Sequence, residues 1–377
     1  MIKVKQLATY PVKSMQGIAL QTSFVLPGGL ENDRLFMVTE PNGKFITARE
    51  KPQLLQLKTA ISKQELEIYY QPIAKSLHSI NRIRVKFTDF SPTLEKTQVW
   101  NNYFSSHIAP ITVNQFLSEF LQLDVQLRWI GHFSDRRVKH FPSIPLGFAD
   151  GHPFLLLNQA SFDYLQQRCP EILSIEQFRG NIIIDGSLPF AEDGWRTIKI
   201  GEIIFDLVKP CSRCVLTQIN LSTLQWLPNK EPMATLCSFR SDEKGDIDFG
   251  MKMIARNSGK ISINDPVEIL TRQPAKTYIK SVSKNPKNIV KTCKITIAKQ
   301  IINGNCQQPL LEQLEQQGIS IPYSCRSGVC GRCRVILEDG SITAMTKSAI
   351  QAENHILACS CIPKSESIKI KLITKKT

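Results

Sequence analysis

The sequence predicts an α+β protein of several domains, and three observations lead to this fold class. The chain has 377 residues, which is too long for one small module at about 150 residues per domain. It is 42% hydrophobic and 21% charged, the composition of a globular protein with a real core. The hydrophobic pattern changes near residue 111, and a basic, proline-containing stretch precedes the last part of the chain.

Residues 1–110 are predicted to form a small β barrel or sandwich. Short runs that alternate apolar and polar residues, such as Arg82–Phe87, are separated by turn signals such as Pro41–Lys44. Residues 111–270 are predicted to be mixed α and β. Helices are expected at Val113–Leu121 and Ala160–Arg168, and strands at Phe154–Leu157, Arg179–Ile184 and Ile200–Val208.

A linker is predicted at 271–292, followed by a separate domain at 293–377. Between Thr271 and Lys291 six residues are basic and none is acidic, which is typical of an extended, solvated tether. A docking strip for an acidic partner is the alternative interpretation. The last domain is expected to begin with a strand at Cys293 and to contain a short helix at Pro309–Gln317.

The charge and the cysteine content restrict the possible partners. A net charge of +14 predicts something anionic, such as a phosphorylated cofactor, a nucleotide or an acidic protein. No run approaches the roughly 18 apolar residues of a membrane span, and the first residues lack the apolar core of a signal peptide. We therefore expect a cytoplasmic protein that binds neither a membrane nor a nucleic-acid polymer. Several of the 11 cysteines lie in closely spaced groups, which in a reducing compartment favours metal binding over disulfides.

The last domain carries the most specific cysteine pattern. Cys325, Cys330 and Cys333 form C-x4-C-x2-C, and Cys359 follows 26 residues later, with Cys361 close behind it. Four thiolates in this spacing are typical of a plant-type [2Fe-2S] cluster, whereas zinc sites prefer C-x2-C pairs. The spacing leaves Cys359 and Cys361 both open as the fourth ligand. The domain resembles plant-type ferredoxins, and this resemblance favours Cys359 and implies a β-grasp fold.

A cluster of this class transfers single electrons, so the remainder of the chain should contain the electron acceptor. We find no G-x-G-x-x-G motif, and an NAD-binding domain on this chain is therefore not expected. The electron donor should be another protein.

In the middle section, Cys211 and Cys214 form C-x2-C, which by spacing alone fits a redox disulfide, half a zinc site with Cys237, or packing. Arg213 next to Cys214 favours a reactive thiol, because a guanidinium lowers a thiol's pKa and can also bind phosphate.

Five short motifs in this order resemble the MOSC-domain proteins, specifically the bacterial YcbX-like branch related to mitochondrial amidoxime-reducing components. They are Tyr10-Pro-Val-Lys-Ser14, Asn32-Asp-Arg34, Phe45-Ile-Thr-Ala-Arg49, Phe178-Arg-Gly-Asn181 and Pro210-Cys-Ser-Arg-Cys214. The resemblance implies an N-terminal MOSC-associated β-barrel domain, a mixed α/β, β-barrel-like MOSC domain and the ferredoxin domain. It also implies a molybdenum cofactor, a pterin dithiolene with a phosphate.

The resemblance assigns roles to residues of this chain. It implies Cys214 as the catalytic thiolate on molybdenum, with Cys211 as the alternative. The residues expected to hold the pterin and phosphate are Lys13, Ser14, Arg34, Arg49, Arg179, Asn181, Ser212 and Arg213. An anionic phosphopterin needs such cationic and hydroxyl donors. Asp150, His152, Asn158 and Ser161 could line the substrate side, although 150–154 equally reads as a simple turn. The four tryptophans are expected in the core, and Cys293 and Cys306 are expected to be packed cysteines.

The implied activity is reduction of N-hydroxylated compounds: hydroxylamines, amidoximes and nucleobase analogues such as 6-N-hydroxylaminopurine. Electrons would come from an external NAD(P)H-dependent flavoprotein reductase and pass through the [2Fe-2S] cluster to molybdenum. Two alternatives stay open, a MOSC sulfur-carrier protein and a pure iron-sulfur electron-transfer adaptor. Tightly bound molybdenum would exclude the adaptor and is not needed by a sulfur carrier.

Overall fold

A computed structural model describes residues 1–71, 80–100, 102–243, 245–278, 292–298, 300–323, 328, 331–345, 348–351 and 354–373. The chain divides into two compact units. The first comprises Met1–Ser212, Leu216–Thr235 and Asp248–Thr277, and the second comprises Arg213–Val215, Leu236–Ile247 and Tyr278–Thr377.

Strands of the first unit are β1 Lys3–Thr9, β2 Ile18–Leu20, β3 Thr22–Leu26, β4 Gly29–Leu30, β5 Phe36–Thr39, β6 Lys58–Ser62, β7 Glu65–Tyr70, β8 Asn81–Lys86, β9 Glu95–Val99, β10 Asn102–Ile108, β11 Gln126–Trp129, β12 Arg137–Val138, β13 Phe141–Pro145, β14 Phe154–Asn158, β15 Ile182–Asp185, β16 Trp195–Ile200, β17 Ile203–Ser212, β18 Asp248–Ala255, β19 Gly259–Ser262 and β20 Val267–Arg272. Strands of the second unit are β21 Thr292–Ile297, β22 Gln300–Asn305, β23 Arg334–Asp339, β24 Ile342–Ala344, β25 His355–Leu357, β26 Cys361–Pro363 and β27 Ser367–Leu372. The α-helices are α1 Ile111–Leu121, α2 Gln159–Gln166, α3 Met233–Arg240 and α4 Leu310–Gln316. Short 3₁₀ helices lie at Pro52–Gln56, Phe87–Asp89, Ile175–Phe178, Ala191–Gly194, Val215–Gln218, Pro228–Lys230 and Ala358–Ser360.

One large sheet of the first unit carries Cys211 and Ser212 on its strand β17. Its strand order is β2-β1-β15-β14-β18-β17-β16-β20, and neighbouring strands are antiparallel except β14 and β15. Apolar side chains such as Ile198, Phe205 and Met251 are completely buried in its core. Strand β17 ends at Ser212, so Cys211 and Ser212 are its last two residues.

A second layer of the first unit is built by the sheets β5-β11-β10-β9 and β6-β7-β8. Helix α1 packs on them because Val113, Leu117 and Leu121 recur at four-residue spacing and are all buried. This core also contains Phe36 of β5 and Trp129 of β11. Strand β1 belongs to the large sheet described above, where it pairs with β15.

The second unit contains a mixed sheet and one short helix. The strand order is β22-β21-β27-β23-β25, in which β21 and β27 are parallel and the other pairs are antiparallel. Leu310, Leu311 and Leu314 of α4 are buried with the sheet residues. This arrangement, together with the β-rich first unit, confirms the predicted α+β multidomain fold class with a β-grasp C-terminal domain.

Several local expectations need correction. The predicted strand Ile200–Val208 is two strands, because the chain turns at Gly201, whose φ of +57° lies in the left-handed region that glycine adopts without steric cost. Thr271 and Arg272, which the sequence places in the linker, pair with β16 as part of β20. Trp226 is 42% exposed rather than part of the core, whereas Trp195 is 1% exposed.

Among the described residues, no helix is long and apolar enough to cross a membrane.

Candidate cofactor and cluster sites

Three side chains of the first unit converge on the carboxylate of Asp150. The Lys13 Nζ lies 2.5 Å from Oδ1, the Trp100 Nε1–H donates to the same oxygen at 3.0 Å, and Arg49 lies 3.6 Å from Oδ2. The Lys13 and Arg49 side chains are 9% and 6% exposed, whereas Asp150 is 48% exposed. Two buried cations and an indole donor thus face a carboxylate that solvent reaches, so an incoming anion could share or replace its contacts.

Burial and charge shift the pKa values in this group. Burial lowers the pKa of Lys13 from 10.5 to about 8, although Asp150 acts to raise it. Desolvation acts to raise the pKa of Asp150, but Lys13 and Arg49 hold it well below its usual range. Asp150 is therefore ionised at neutral pH, and Lys13 stays protonated there at an electrostatic cost that a further anion would reduce.

Arg136 holds the loop that carries Asp150. Its guanidinium donates to Gly147 O at 2.7 Å, to Ala149 O at 2.5 Å and to Asp150 O at 3.3 Å. The residue is 4% exposed, and burial lowers its pKa to about 10. Its role is to fix the backbone beside the Asp150 carboxylate. Sequence reasoning missed Arg136 and Trp100, since neither lies in a motif.

A second group of cations surrounds Tyr10. The guanidinium carbons of Arg34 and Arg179 lie 4.3 and 4.2 Å from its ring centroid, a cation–π distance. Asp33 accepts from Arg34 at 2.7 and 2.6 Å, and Arg179 donates to Met15 O at 2.8 Å. Burial lowers the pKa of Arg179 to about 10, while Tyr10, Asp33 and also Asp150 act to raise it. The Asp150 group and the Tyr10 group therefore interact electrostatically as neighbours.

Three of the predicted cofactor residues have strained backbones. Ser14, Arg34 and Arg179 have φ values of +72°, +50° and +55°, in the left-handed region that residues other than glycine rarely adopt. Such conformations cost on the order of 1 kcal/mol or more each and are concentrated at functional sites. Ser14, Arg34 and Arg179 each lie in a different one of the predicted motifs.

A cavity of about 360 Å³ lies within the first unit, and Tyr10 and Arg179 line it. Leu7, Leu55, Leu221 and others make most of its wall apolar. The polar groups of the wall come from Gln6, Tyr10, Gln16, Gln21, Glu176 and Arg179. An apolar cavity with a few placed polar groups is the usual form of a small-molecule site.

Asn181 and Ser212 are placed differently from the cations. Asn181 is 2% exposed, and its side chain accepts from Leu155 N at 3.2 Å and donates to Ala8 O at 3.2 Å, so it joins β14 to β1. Ser212 is exposed at the end of β17, opposite Asp248 of β18.

The Cys211–Cys214 segment contains one buried thiol and one more accessible thiol. Cys211 is 9% exposed within β17, and its Sγ donates to Ser212 O at 3.8 Å. Cys214 is half-buried. Arg213 precedes it, and the Arg213 backbone N–H donates to Ile247 O at 2.7 Å. A metal could reach the Cys214 thiol more readily than that of Cys211.

The described part of the cluster segment brings two predicted ligands together. The Cys359 N–H donates to Cys333 Sγ at 3.5 Å, and the Gly328 N–H donates to Cys359 Sγ at 3.3 Å. Gly328 has a φ of +71°, a conformation that lets its backbone approach the sulfur. Backbone N–H groups directed at two buried sulfurs suit thiolates that carry negative charge. Cys325 and Cys330, also predicted as ligands, lie outside the described residues.

The other cysteines of this unit make ordinary packing contacts. Cys361 is completely buried and its Sγ donates to Ala349 O at 3.6 Å. Cys293 and Cys306 donate to the carbonyls of Lys294 and Ser365. Within the described part of the chain, no group of three or more His, Cys, Asp or Glu side chains forms a ready metal site.

The remaining candidates for the substrate side separate into two cases. Asn158 and Ser161 are fully buried and donate to Glu192 at 2.7 and 2.8 Å, so the expectation that they line a substrate site is wrong. His152 is only partly buried, and burial together with Lys252 and Lys209 lowers its pKa to about 4. It is therefore neutral at physiological pH.

The residues present fit the cofactors that the sequence implies. Arg34 and Arg179 lie over the Tyr10 ring, Arg179 also lines the cavity, and Lys13 and Arg49 face Asp150. These buried cations suit an anionic ligand. Cys333 and Cys359 fit a cluster through the N–H groups directed at their sulfurs.

Comparison with protein-family models finds three matches. They are a MOSC N-terminal beta barrel domain at residues 1–124, a MOSC domain at 144–268 and a 2Fe-2S iron-sulfur cluster binding domain at 294–364.

Comparison with curated proteins finds relatives of two kinds. Human mitochondrial amidoxime-reducing component 1 is 28% identical over 302 residues, which cover 71% of this chain and 82% of the relative. The protein of the same description from Xenopus laevis is 27% identical over 291 residues, covering 72% and 82%. Molybdenum cofactor sulfurase of Oryza sativa subsp. japonica is 28% identical over 271 residues, covering 66% and 32%, so the chain spans about a third of the sulfurase.

Solved structures match over a smaller part of the chain. The ferredoxin reductase in carbazole 1,9a-dioxygenase is 29% identical, covers 22% of this chain and 28% of its own, and has a TM-score of 0.21. Pectocin M2 is 28% identical, covers 21% and 32%, and has a TM-score of 0.20.

Proposed function

Because this chain is a MOSC-domain protein with a C-terminal [2Fe-2S] cluster binding domain, homologous to the amidoxime-reducing components and the molybdenum cofactor sulfurases, we propose that it is a molybdenum-dependent reductase of N-hydroxylated compounds. Its cofactors are a [2Fe-2S] cluster and a molybdenum cofactor. The observation that carries the proposal is the pair of buried cations, Lys13 and Arg49, that face the carboxylate of Asp150. The proposed substrates are hydroxylamines, amidoximes and N-hydroxylated nucleobase analogues such as 6-N-hydroxylaminopurine.

We assign the cofactor contacts to residues of this chain as follows. Lys13, Arg49, Arg34 and Arg179 are proposed to supply charge for an anionic phosphopterin, and Arg179 also lines the cavity. Ser14, Ser212 and Arg213 are proposed as further donors to the phosphopterin. Asn181 is proposed to act indirectly, because the hydrogen bonds of its side-chain amide hold β14 and β1 in position. Cys214 is the proposed thiolate ligand of molybdenum, and its half-buried position supports it over Cys211.

A molybdenum centre, when bound, supplies the two-electron chemistry that cleaving an N–O bond requires. The chain's own residues then bind and orient. Lys13 remains protonated below its pKa of about 8 and can pair with an anion there. His152 is neutral at physiological pH, so it can accept a proton or a hydrogen bond near the Asp150 loop.

Electrons are proposed to reach this site singly from an external NAD(P)H-dependent flavoprotein reductase through the cluster. Cys325, Cys330, Cys333 and Cys359 are the proposed cluster ligands. The N–H groups directed at Cys333 and Cys359 support those two, and the carbonyl contact of the Cys361 thiol supports its exclusion. The net charge of +14 supports docking to an acidic face of the reductase. We propose a cytoplasmic location, and a division into segments 1–110, 111–270, 271–292 and 293–377 as a basis for dissecting the chain.

The experiment compares the wild-type chain with Cys214→Ser and with Cys237→Ser, which alters an exposed cysteine on α3 as a matched control. Each protein is supplied with an amidoxime or 6-N-hydroxylaminopurine and a chemical reductant in place of the partner. Wild type and Cys237→Ser should form the amidine or amine. Cys214→Ser should lose more than the roughly 10–100-fold typical of changes around a metal ligand, with the visible spectrum of the cluster unchanged. Full activity of Cys214→Ser would contradict the assignment.

A sulfur-carrier function is the second candidate, because the relatives include molybdenum cofactor sulfurases. A persulfide on Cys214 would serve that function. Protein that transfers sulfur from Cys214 and retains no molybdenum after purification would favour the sulfur carrier over the reductase.

A further inference from the structure

Two cysteines of the second unit that the proposed cluster does not use lie on the same face of one β-hairpin. Cys293 is in β21, and the residue opposite it in β22 is Gly304. Cys306 follows Gly304 by two residues, which brings it to the same face, because side chains alternate along an extended chain. Cys306 is therefore the diagonal neighbour of Cys293 across the hairpin.

The residues just before β27 contact the chain at both cysteines. Cys306 Sγ donates to Ser365 O at 3.7 Å, and the N–H of Lys294, the residue after Cys293, donates to Glu366 O at 2.8 Å. Both thiols also belong to the apolar core of this unit. Cys293 is 1% exposed within that core, and the half-buried Cys306 packs against it. Register, backbone contacts and packing thus place the two side chains together.

The two thiols differ in how readily they react with a solute. Burial raises the pKa of Cys293 to about 11, and the neighbouring Cys306 thiol adds to this rise. Cys293 is therefore protonated at neutral pH as well as closed to solvent. Cys306 is the more exposed of the two, so a molecule in solution reaches Cys306 first.

The backbone at Cys306 can move without disrupting the hairpin. Strand β22 ends at Asn305, which pairs with Thr292, and Cys306 lies beyond this last pair. A disulfide requires Cβ atoms about 3.5–4.5 Å apart, closer than diagonal cross-strand neighbours usually lie. The segment after β22 can supply this approach, because the strand ladder does not include it.

We propose that Cys293 and Cys306 are a redox modification site that forms a reversible disulfide with a small disulfide, such as oxidised glutathione, as the oxidant. Cys306 loses its proton to solvent and attacks one sulfur of the glutathione disulfide, and one glutathione thiolate leaves. Cys293 then loses its proton and attacks the Cys306 sulfur, which releases the second glutathione. The two cysteines lose two electrons to the glutathione disulfide, and the two protons end on the two glutathione thiols.

The disulfide stabilises the sheet of the second unit. For a closed loop of about 15 residues, the chain-entropy account disfavours the unfolded chain by a factor on the order of 100. Strand β21 pairs with β27, β27 pairs with β23, and β23 begins directly after Cys333. The bond therefore strengthens the sheet that leads from a proposed cluster ligand. The inference does not rest on the proposed reductase activity.

The test places the purified full chain, with its cluster, in glutathione buffers that run from fully reduced to fully oxidised. Free thiols are then blocked with iodoacetamide under denaturing conditions, and peptide mass spectrometry measures the fraction of chains that contain the Cys293–Cys306 bond. The variants are Cys293→Ser and Cys306→Ser. Cys237→Ser, which removes an exposed cysteine of α3, is the matched control. The visible absorbance of the cluster shows that the domain stays folded.

Wild type and Cys237→Ser should form the bond in excess oxidised glutathione and lose it on return to reduced glutathione. Cys293→Ser should stop at a mixed disulfide on Cys306, because the second attacking thiol is missing. Cys306→Ser should leave Cys293 reduced, because glutathione does not reach a thiol that is 1% exposed. A wild-type chain that stays reduced, or that stops at the mixed disulfide, would overturn the proposal.

Urea unfolding of the same samples tests the stabilising effect. Oxidised wild type should lose its cluster absorbance at a higher urea concentration than reduced wild type, and Cys306→Ser should show no difference between the two buffers. Equal midpoints for oxidised and reduced wild type would overturn the stabilising role. If the protein proved to contain no molybdenum, the proposed function would fail, while these measurements would still decide whether the disulfide forms.

Discussion

Replacing Lys13 with methionine should change how the stability of the first unit depends on pH. Burial lowers the Lys13 pKa from 10.5 to about 8. Because one pKa unit corresponds to about 1.4 kcal/mol, holding Lys13 charged in the folded protein costs about 3 kcal/mol at neutral pH. The methionine variant removes this cost together with the hydrogen bonds to Phe148 O and Asp150.

The direction of the effect follows from proton binding. Between pH 8 and 10.5 the unfolded chain holds the Lys13 proton while the folded chain has released it, so the free energy of unfolding rises with pH. The gain is complete above 10.5 and is lost as the pH falls to about 8. Wild type should therefore gain up to about 3 kcal/mol over this range relative to Lys13→Met.

Urea unfolding monitored by tryptophan fluorescence measures this difference. The four tryptophans, Trp100, Trp129, Trp195 and Trp226, all lie in the first unit, so the signal reports that unit. The difference between wild type and Lys13→Met is followed from neutral to alkaline pH, with Lys5→Met as the control for an exposed pair. A difference that is independent of pH would refute the argument that Lys13 is kept charged at a cost.

Three further results are expected. Cys359→Ser should lose the visible absorbance of the cluster, whereas Cys361→Ser should keep it because its thiol donates to Ala349 O; the reverse outcome would exchange their roles. In an NMR titration His152 should stay neutral down to a pH of about 4, because burial, Lys252 and Lys209 lower its pKa; a value near 6.5 would contradict this placement. Raising the ionic strength from about 0.05 to 0.5 M should slow turnover with the flavoprotein reductase but not with a small chemical reductant, and equal effects would exclude electrostatic docking.

The parts of the fold that sequence could predict are those with a local pattern. Helix α1 follows from the four-residue recurrence of Val113, Leu117 and Leu121, and α2 follows from the turn at Asn158, whose side chain accepts the Ala160 N–H. The sequence does not predict which strands pair with each other. That β1 pairs with β15 depends on the packing of distant segments, which no local periodicity encodes.

The site residues that lie in a sequence motif could be predicted. The site residues that come together only through folding could not. The motifs pointed to Lys13, Arg34 and Arg49, and the resemblance supplied their roles. Trp100 was expected in the core, the usual place for tryptophan, but it contacts Asp150 and Arg49 instead. Arg136 carries no motif, and its hydrogen bonds to the Asp150 loop exist only once the chain is folded.

The predicted linker also contains a contact that the sequence does not reveal. Its composition, basic and rich in polar residues, is typical of a solvated tether. The Lys276 side chain instead forms an ion pair with the buried carboxylate of Asp248. The composition of the segment does not indicate this partner.

The measurement that tests the central claim most directly is the metal content of wild type and Cys214→Ser, both purified without air from a host able to make molybdenum cofactor. Wild type should contain about one molybdenum and two irons per chain, and Cys214→Ser should keep the irons with less molybdenum. Two irons and no molybdenum in the wild-type protein would contradict the account.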